Sequence, residues 1–274
     1  MESGFVESLQ HLYLWLDKPF DGMSWPVIVS IVVIYFLAFA GRGAIGFGAI
    51  APAVVLTSWL IPPHHAVLLA MIAATIPQLH LLPEGLREGD WKVCRPVIAA
   101  LALSITAGVW VFAELSADWL SLALGAIMTA IIILDMGKLL NRFAERVDIR
   151  STPIAFGLAT VIGLATGVAG AGGMMMLSVY LKHACKDHIS LRGTAILLGT
   201  SLTLWRTVAS AFAGMVDLQL IVESVLLMPV VYIGIWVGTR WFRRMTPAAF
   251  YRVFQFVLLL SAAGLVVESL LKFM

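Results

Sequence analysis

Eight long apolar blocks recur along the chain, and they restrict its fold to structures that a lipid bilayer can surround. Runs of about 18 or more apolar residues are typical of membrane-spanning helices. Of the 274 residues, 61% are hydrophobic and only 12% are charged, which argues against a soluble domain of this length. The blocks are continuously apolar rather than alternating, which argues against a β-barrel. The sequence therefore predicts an all-α polytopic membrane protein, with blocks at residues 27–61, 65–83, 93–113, 119–140, 153–181, 190–213, 218–239 and 247–271.

The first and fifth blocks are longer than one ordinary span, and each is interrupted by glycines. The first contains "GRGAIGFGAIAP" at residues 41–52, and the fifth contains "GVAGAGG" at residues 167–173. "GVW" from Gly108 and "GIW" from Gly234 also occupy corresponding blocks, so the chain looks like a duplication. We therefore divide it into an N-terminal interfacial segment at 1–26, a first transmembrane repeat at 27–150 and a second transmembrane repeat at 151–274.

The positions of the basic residues distinguish two topologies. If the two glycine-broken blocks are hairpins, thirteen basic residues lie on one face of the membrane, and only Lys18 and Lys272 lie on the other. If every block crosses once, giving eight single spans, the basic loops are split between the two faces, against the positive-inside rule. The bias favours the hairpins and predicts that the basic face is cytoplasmic and that both termini are periplasmic. The thirteen residues are Arg87, Lys92, Arg95, Lys138, Arg142, Arg146, Arg150, Lys182, Lys186, Arg192, Arg240, Arg243 and Arg244.

A hairpin and three further helices give each half five elements, which is an odd number. The second half then enters the membrane in the opposite sense to the first, as in the inverted-topology repeats of secondary transporters. Non-helical backbone inside a bilayer persists only where protein or a water-filled cavity satisfies it. Two breaks at corresponding positions therefore predict a binding site between the repeats, although small-residue helix packing is an alternative role for the glycines. The glycines assigned to the site are Gly46, Gly48, Gly170, Gly172 and Gly173.

Two arginines within the blocks indicate that the substrate is an anion. Arg42 and Arg206 carry charges that are costly in a membrane and are functional by default. A guanidinium suits an oxyanion because it donates two parallel hydrogen bonds. The alternatives are that Arg42 caps carbonyls at the hairpin tip and that Arg206 reaches the outer membrane interface. The other residues predicted to bind substrate are Gln78, His80, Thr200 and Ser201.

Several polar residues also have more ordinary interpretations. His80 is more often a satisfied helix residue than a ligand, and the hydroxyls of Thr200 and Ser201 commonly bond the carbonyl four residues earlier. Glu223 is a candidate proton carrier or ion-pair partner, and residues 64–65, both histidine, read as a polar loop. No metal site, cofactor or nucleic-acid partner is predicted.

Three longer stretches carry a family resemblance. "GFGAIAPAVVLTSWLIPPHHAV" from Gly46, with "GVAGAGGMMMLSVYL" and "LRGTAILLGTSLTL" in the second half, resembles the repeat signatures of the sulfite exporter TauE/SafE family, also called the toluene-sulfonate uptake permease family. The likeness spans about residues 27–270. It departs from the usual triple glycine where Ala49 and Ile50 follow Gly48. The resemblance implies a transporter, not an enzyme, that moves a small sulfur-containing anion such as sulfite or an organosulfonate across the bacterial inner membrane.

The predicted function is secondary transport of that anion, in the direction of export, by alternating access. A proton or another cation is a candidate coupling partner, the lipid bilayer surrounds the chain, and a homodimer is a candidate assembly. The alternative functions are an anion channel, and an intramembrane enzyme or assembly factor that does not transport.

Overall fold

The structure, a computed structural model, describes residues 19–20, 22–45, 48–146, 151–185, 187–241 and 247–274. Within these residues all regular secondary structure is α-helical. Gly46 of the predicted site, and most of the predicted N-terminal segment, lie outside them. The helices are α1 (Trp25–Ile45), α2 (Ile50–Thr57), α3 (Pro63–Glu88), α4 (Trp91–Glu114), α5 (Ala117–Met136), α6 (Leu139–Arg146), α7 (Thr152–Ala169), α8 (Gly173–Ala184), α9 (His188–Phe212), α10 (Leu218–Trp241) and α11 (Pro247–Phe273).

Eight of the described helices, α1, α3, α4, α5, α7, α9, α10 and α11, are long and apolar enough to cross a membrane. This confirms the prediction of an all-α polytopic membrane protein. Each glycine-broken block forms one long helix followed by a short one, rather than two segments of similar length. The short helices α2 and α8 have 8 and 12 residues, so at about 1.5 Å per residue they cannot cross about 30 Å of hydrocarbon.

Local sequence signals explain several helix boundaries. Pro62 and Pro63 open α3, where the absent N–H of proline costs nothing. The side chains of Asp90 and Asp187 accept backbone N–H groups at the starts of α4 and α9, as N-caps do. Gly170 ends α7 in the left-handed region, with φ of 71°, which glycine adopts without the steric cost that a Cβ imposes.

Two pairs of helices, one from each half, run parallel to one another. In the first pair, Gly234 and Gly238 of α10 pack on Phe36 and Ala40 of α1. In the second pair, Gly163 and Gly167 of α7 pack on residues 104 and 108 of α4. The glycines let the backbones approach closely, which is the usual basis of helix association in membranes. Of the glycines in the two broken segments, Gly167 therefore has the packing role that was considered as the alternative.

Two other pairs run antiparallel. Between α3 and α9, Gly89 packs on Gly193, and the hydroxyls of Thr75 and Thr207 lie 3.1 Å apart. Between α5 and α11, the ring centroids of Trp119 and Phe273 are 4.7 Å apart near one end, and Gln255 donates to Asp135 near the other.

After the first break, the chain returns to the end of the bundle where α1 begins. Residues 22–24 before α1, residues 60–62 after α2, and Gln219 in α10 line one cavity. Thus the chain turns back between α1 and α3, and the residues that follow α2 lie near those that precede α1. At the opposite end, Arg192 pairs with Glu84 at 3.0 Å, so the loops that precede α4 and α9 lie together. The inversion of the repeats, and the membrane face that each end meets, stay predictions.

Replacing Gly238 by alanine should destabilise the protein, whereas the same change at Gly157 should not. A Cβ at Gly238 would collide with the backbone of Ala40, and such overpacking costs about 1–3 kcal/mol. Nothing lies within 4 Å of a Cβ built at Gly157, inside α7, where alanine is the better helix former by about 1 kcal/mol. Thermal unfolding in detergent measures both effects. Equal melting temperatures for the two variants would contradict the close contact of α1 and α10.

Candidate anion-binding site

The first break places a guanidinium beside an amide. Arg42 lies in the last turn of α1, where a positive charge interacts favourably with the helix dipole. Its Nη2 donates to Oε1 of Gln78 in α3. Both side chains are partly exposed. Gly48, with φ of 92°, precedes α2, so the turn between the two arms of the hairpin uses a conformation that favours glycine.

Gln78 also meets the second half of the chain. A Cβ at Gly199 of α9 would lie 2.6 Å from Nε2 of Gln78 and 3.3 Å from Sδ of Met174. Met174 is the second residue of α8, directly after the second break. The Thr200 hydroxyl oxygen lies 3.4 Å from the Gln78 carbonyl oxygen. Gln78 therefore contacts Arg42 of the first half and lies beside Gly199 and Thr200 of the second half.

The second break is built from three glycines with different roles. Gly170 and Gly172 have φ of 71° and 86°, which only glycine adopts without strain. A Cβ at Gly173 would collide with the hydroxyl of Thr166, so this position needs glycine for close packing. The first N–H groups of a helix have no partner within the helix, and those of α8 begin at this break.

Arg206 ties down the end of the helix before the second break. Its side chain is fully buried. Nε donates to the Thr166 carbonyl and Nη2 donates to the Gly167 carbonyl, each at 3.0 Å. Cζ lies 4.8 Å from the centroid of the Phe112 ring, within the range of a cation–π contact. Arg206 therefore does not reach the outer interface, and the capping role considered for Arg42 belongs to Arg206.

The remaining guanidinium nitrogen of Arg206, Nη1, is buried and has no hydrogen-bond partner among the described residues. The guanidinium lies next to Gly170, where an added Cβ would be 3.5 Å from Cζ. The two arginines bind different groups, so the structure does not bring Arg42 and Arg206 into one set of contacts.

The remaining predicted residues differ in their contacts and in their exposure. Thr200 and Ser201 donate at 2.8 Å to the carbonyls of Ile196 and Leu197, four residues earlier in α9. His80 lies on the exposed face of α3, away from the amide of Gln78. The structure brings together Arg42, Gln78 and Thr200, and it leaves the substrate-binding roles of all the predicted residues as predictions.

A contact between a histidine and a buried carboxylate, at the end of the bundle where α3 begins, was not predicted from the sequence. Residues 64–65 do not form a loop but lie in the first turn of α3, because Pro63 starts the helix. His65 Nε2 lies 2.6 Å from Oε2 of Glu223, which is fully buried in α10. Glu223 is therefore a hydrogen-bond partner of His65, and the two form an ion pair when the imidazole is protonated. Its partner lies 158 residues away along the chain, and no local pattern connects the two.

Comparison with known proteins agrees with this architecture. The family model "Sulfite exporter TauE/SafE" matches residues 31–265, from α1 to α11 and across both breaks. The "Probable sulfite/organosulfonate exporter TauE" of Cupriavidus necator is 28% identical over 193 residues, which cover 69% of this chain and 73% of that protein. No solved structure has a significant match to the chain. Because the family model matches most of its length, the chain belongs to the sulfite exporter TauE/SafE family.

Proposed function

We propose that this protein exports a small sulfur-containing anion, such as sulfite or an organosulfonate, by alternating access. Family membership and the name of the Cupriavidus necator relative support the substrate class. The eight long apolar helices are those of a multi-pass membrane protein, in which such an anion needs a protein site to cross.

The observation that carries the proposal is the junction of Arg42 and Gln78. A guanidinium has five N–H donors in a planar fork, and one terminal nitrogen of Arg42 is engaged by the Gln78 amide. The amide thus orients the guanidinium and leaves other donors for an oxyanion. Because the arginine is partly exposed, an anion can reach it without first displacing a buried ion pair.

The start of α8 supplies a second source of positive potential. Met174, in the first turn of α8, and Gln78 both lie beside Gly199 of α9, which places the start of α8 close to this junction. A helix N-terminus favours an anion because its dipole end is positive and its first N–H groups lack carbonyl partners within the helix. In α8 these are the N–H groups of Gly173 and Met174, since those of Met175 and Met176 reach the Gly172 carbonyl. We place the anion between Arg42 and the N-terminus of α8. Arg206 is then a positioning residue that holds the end of α7 and hence the break before α8.

The arrangement of the helices supports inverted repeats. Corresponding helices of the two halves, α3 with α9 and α5 with α11, pack antiparallel. In the same correspondence α1 matches α7 and α4 matches α10. The pair α1 with α10 therefore matches the pair α7 with α4, and both pairs pack parallel. A two-fold axis in the membrane plane relates helices in this way, and rocking of one repeat against the other exposes a central site to alternate sides.

The direction of the chain supports an orientation for the protein in the inner membrane. The basic loops before α4 and α9 lie at the same end of the bundle, and the start of α1 lies at the opposite end with Gln219. The positive-inside rule then places the basic end in the cytoplasm and the termini in the periplasm.

Thermal unfolding of the purified protein in detergent tests the binding site. Sulfite or methanesulfonate should raise the melting temperature, because a ligand at about 100 times its dissociation constant stabilises the folded state by about 2.7 kcal/mol. Chloride at equal ionic strength should not. Arg42→Gln should lose the response, whereas Arg87→Gln, at an exposed arginine paired with Glu88, should keep it. A response that survives in Arg42→Gln would contradict the site.

A further inference from the structure

The buried carboxylate of Glu223 is surrounded by hydrogen-bond donors. Its side chain has no exposed surface, yet it accepts three hydrogen bonds from three parts of the chain. Phe20 N–H, before α1, donates at 2.9 Å, and Gln219 Nε2, one turn earlier in α10, donates at 2.9 Å. His65 Nε2, from α3, lies 2.6 Å away. Such a shell stabilises the ionised carboxylate.

This shell suits a proton and not a metal cation. Na⁺, Mg²⁺ or Ca²⁺ needs several oxygen ligands, but the neighbours of Glu223 present N–H groups. The described residues contain no group of three or more His, Cys, Asp and Glu side chains that could hold a metal ion. Among these three donors, only the imidazole of His65 has a second nitrogen that can accept a proton and so become positively charged.

A solvent route reaches the histidine. The side chain of His65 is 26% exposed and lines a cavity of about 530 Å³ together with Met23, Leu60, Pro62 and Gln219. Because Glu223 is buried behind His65, a proton from the cavity meets the imidazole before the carboxylate. With Nε2–H donated to Glu223, the lone pair of Nδ1 accepts this proton, and no bond within the pair has to break.

Among the described residues, few other titratable groups lie near the pair. On α1, Tyr35 is fully buried, lies within the electrostatic influence of Glu223, and has a hydroxyl without a hydrogen-bond partner among the described residues. Just before α10, Asp217 accepts a hydrogen bond from Leu220 N–H in the first turn of that helix. His64 turns away, since its Nε2 lies 3.2 Å from the carbonyl of Phe112.

We propose that His65 and Glu223 form a proton-binding site, and that proton binding there is linked to movement of the anion, an inference that rests on the proposed function. Binding of one proton by the imidazole removes the net negative charge of the pair. A buried pair without net charge is far less costly than a lone buried carboxylate. The proton therefore favours contact of α3 with α10, and its loss favours separation of these two helices from different halves.

Sulfite flux into proteoliposomes that hold the full-length protein tests the proposal. Labelled sulfite uptake is measured from about pH 5.5 to about pH 8.5 for the wild type, His65→Gln and His64→Gln. Sulfite itself gains a proton in this range, so each variant is expressed as a ratio to the wild type at the same pH, which cancels the change in the substrate. His65→Gln keeps a donor for Glu223 but cannot take up a proton.

We expect the ratio for His65→Gln to change by about threefold or more across the pH range, and the ratio for His64→Gln to stay constant. Sulfite flux with a constant His65→Gln ratio would overturn the proton site and leave the proposed function intact. No protein-dependent sulfite flux at any pH would overturn the proposed function, and the proton linkage with it.

A measurement on the wild type alone covers the case in which His65→Gln does not fold. A pH gradient across the proteoliposomes should drive labelled sulfite against its concentration gradient, after subtraction of uptake by protein-free vesicles. A protonophore should abolish this accumulation. Accumulation that is unaffected by the protonophore, or protein-dependent flux that never exceeds equilibration, would overturn the linkage.

Discussion

Replacement of Arg206 by methionine should reduce transport by about a hundredfold and lower the melting temperature. The arginine is fully buried and holds the Thr166 and Gly167 carbonyls at the end of α7. Hydrogen bonds to charged groups contribute about 1.5–3 kcal/mol each, and methionine leaves both carbonyls without these donors. Since about 1.4 kcal/mol corresponds to a factor of ten, the loss of two such bonds at the break accounts for an effect of this size.

Two matched variants define the role of Arg206. Arg206→Lys keeps the charge but lacks the fork that binds two carbonyls at once, so its flux and stability should be intermediate. Arg240→Met removes an exposed arginine that also stacks on an aromatic ring, that of Trp236, and its flux should change less than about twofold. Measurements of sulfite flux and of thermal unfolding without substrate check both. Unchanged stability in Arg206→Met would contradict its role in positioning the break.

Replacement of Arg42 by glutamine should lower the affinity for substrate, with little of the loss of stability expected for Arg206→Met. Arg42 is partly exposed and its one described side-chain partner is Gln78, so its removal disturbs packing less than the loss of Arg206. The positive charge is lost from the site, and we expect KM for sulfite to rise by about tenfold or more, which corresponds to about 1.4 kcal/mol. The melting temperature without substrate should change by only a few degrees. Concentration-dependent flux in proteoliposomes gives KM and kcat separately.

Gln78→Leu tests whether the amide orients the guanidinium. If it does, this variant should also raise KM, and the double variant with Arg42→Gln should be no worse than Arg42→Gln alone, because residues that act together are not additive. Additive effects, or an unchanged KM in Arg42→Gln, would contradict the assignment of Arg42 and Gln78 to one site.

The overall fold was predictable because the signals that specify it are local or summed over whole segments. Apolar length predicts each span, and glycines such as Gly48 and Gly170 mark the two breaks through their positive φ angles. The count of basic residues was sufficient to favour hairpins, and the structure returns α2 to the end at which α1 begins. The unequal lengths of the two helices at each break were not predicted, since the hydrophobic run gives total length but not where the turn begins.

The pairing of side chains was not predictable in the same way. Arg42 and Arg206 are both buried cations by sequence, but one binds an amide and the other two carbonyls. That difference depends on which helix backbone lies within reach, and so on helix packing. The contact of His65 with Glu223 likewise depends on α3 meeting α10. No periodicity within either segment carries that information.

Counterflow of labelled sulfite in proteoliposomes tests most directly whether this protein is a carrier of sulfur-containing anions. Vesicles loaded with unlabelled sulfite are diluted into a trace of labelled sulfite, and protein-free vesicles serve as the control. We expect transient accumulation of label above the external concentration, loss of this accumulation in Arg42→Gln, and its retention in Arg87→Gln. Simple equilibration of label without overshoot would indicate a channel, and the absence of any protein-dependent uptake would contradict transport of sulfite altogether.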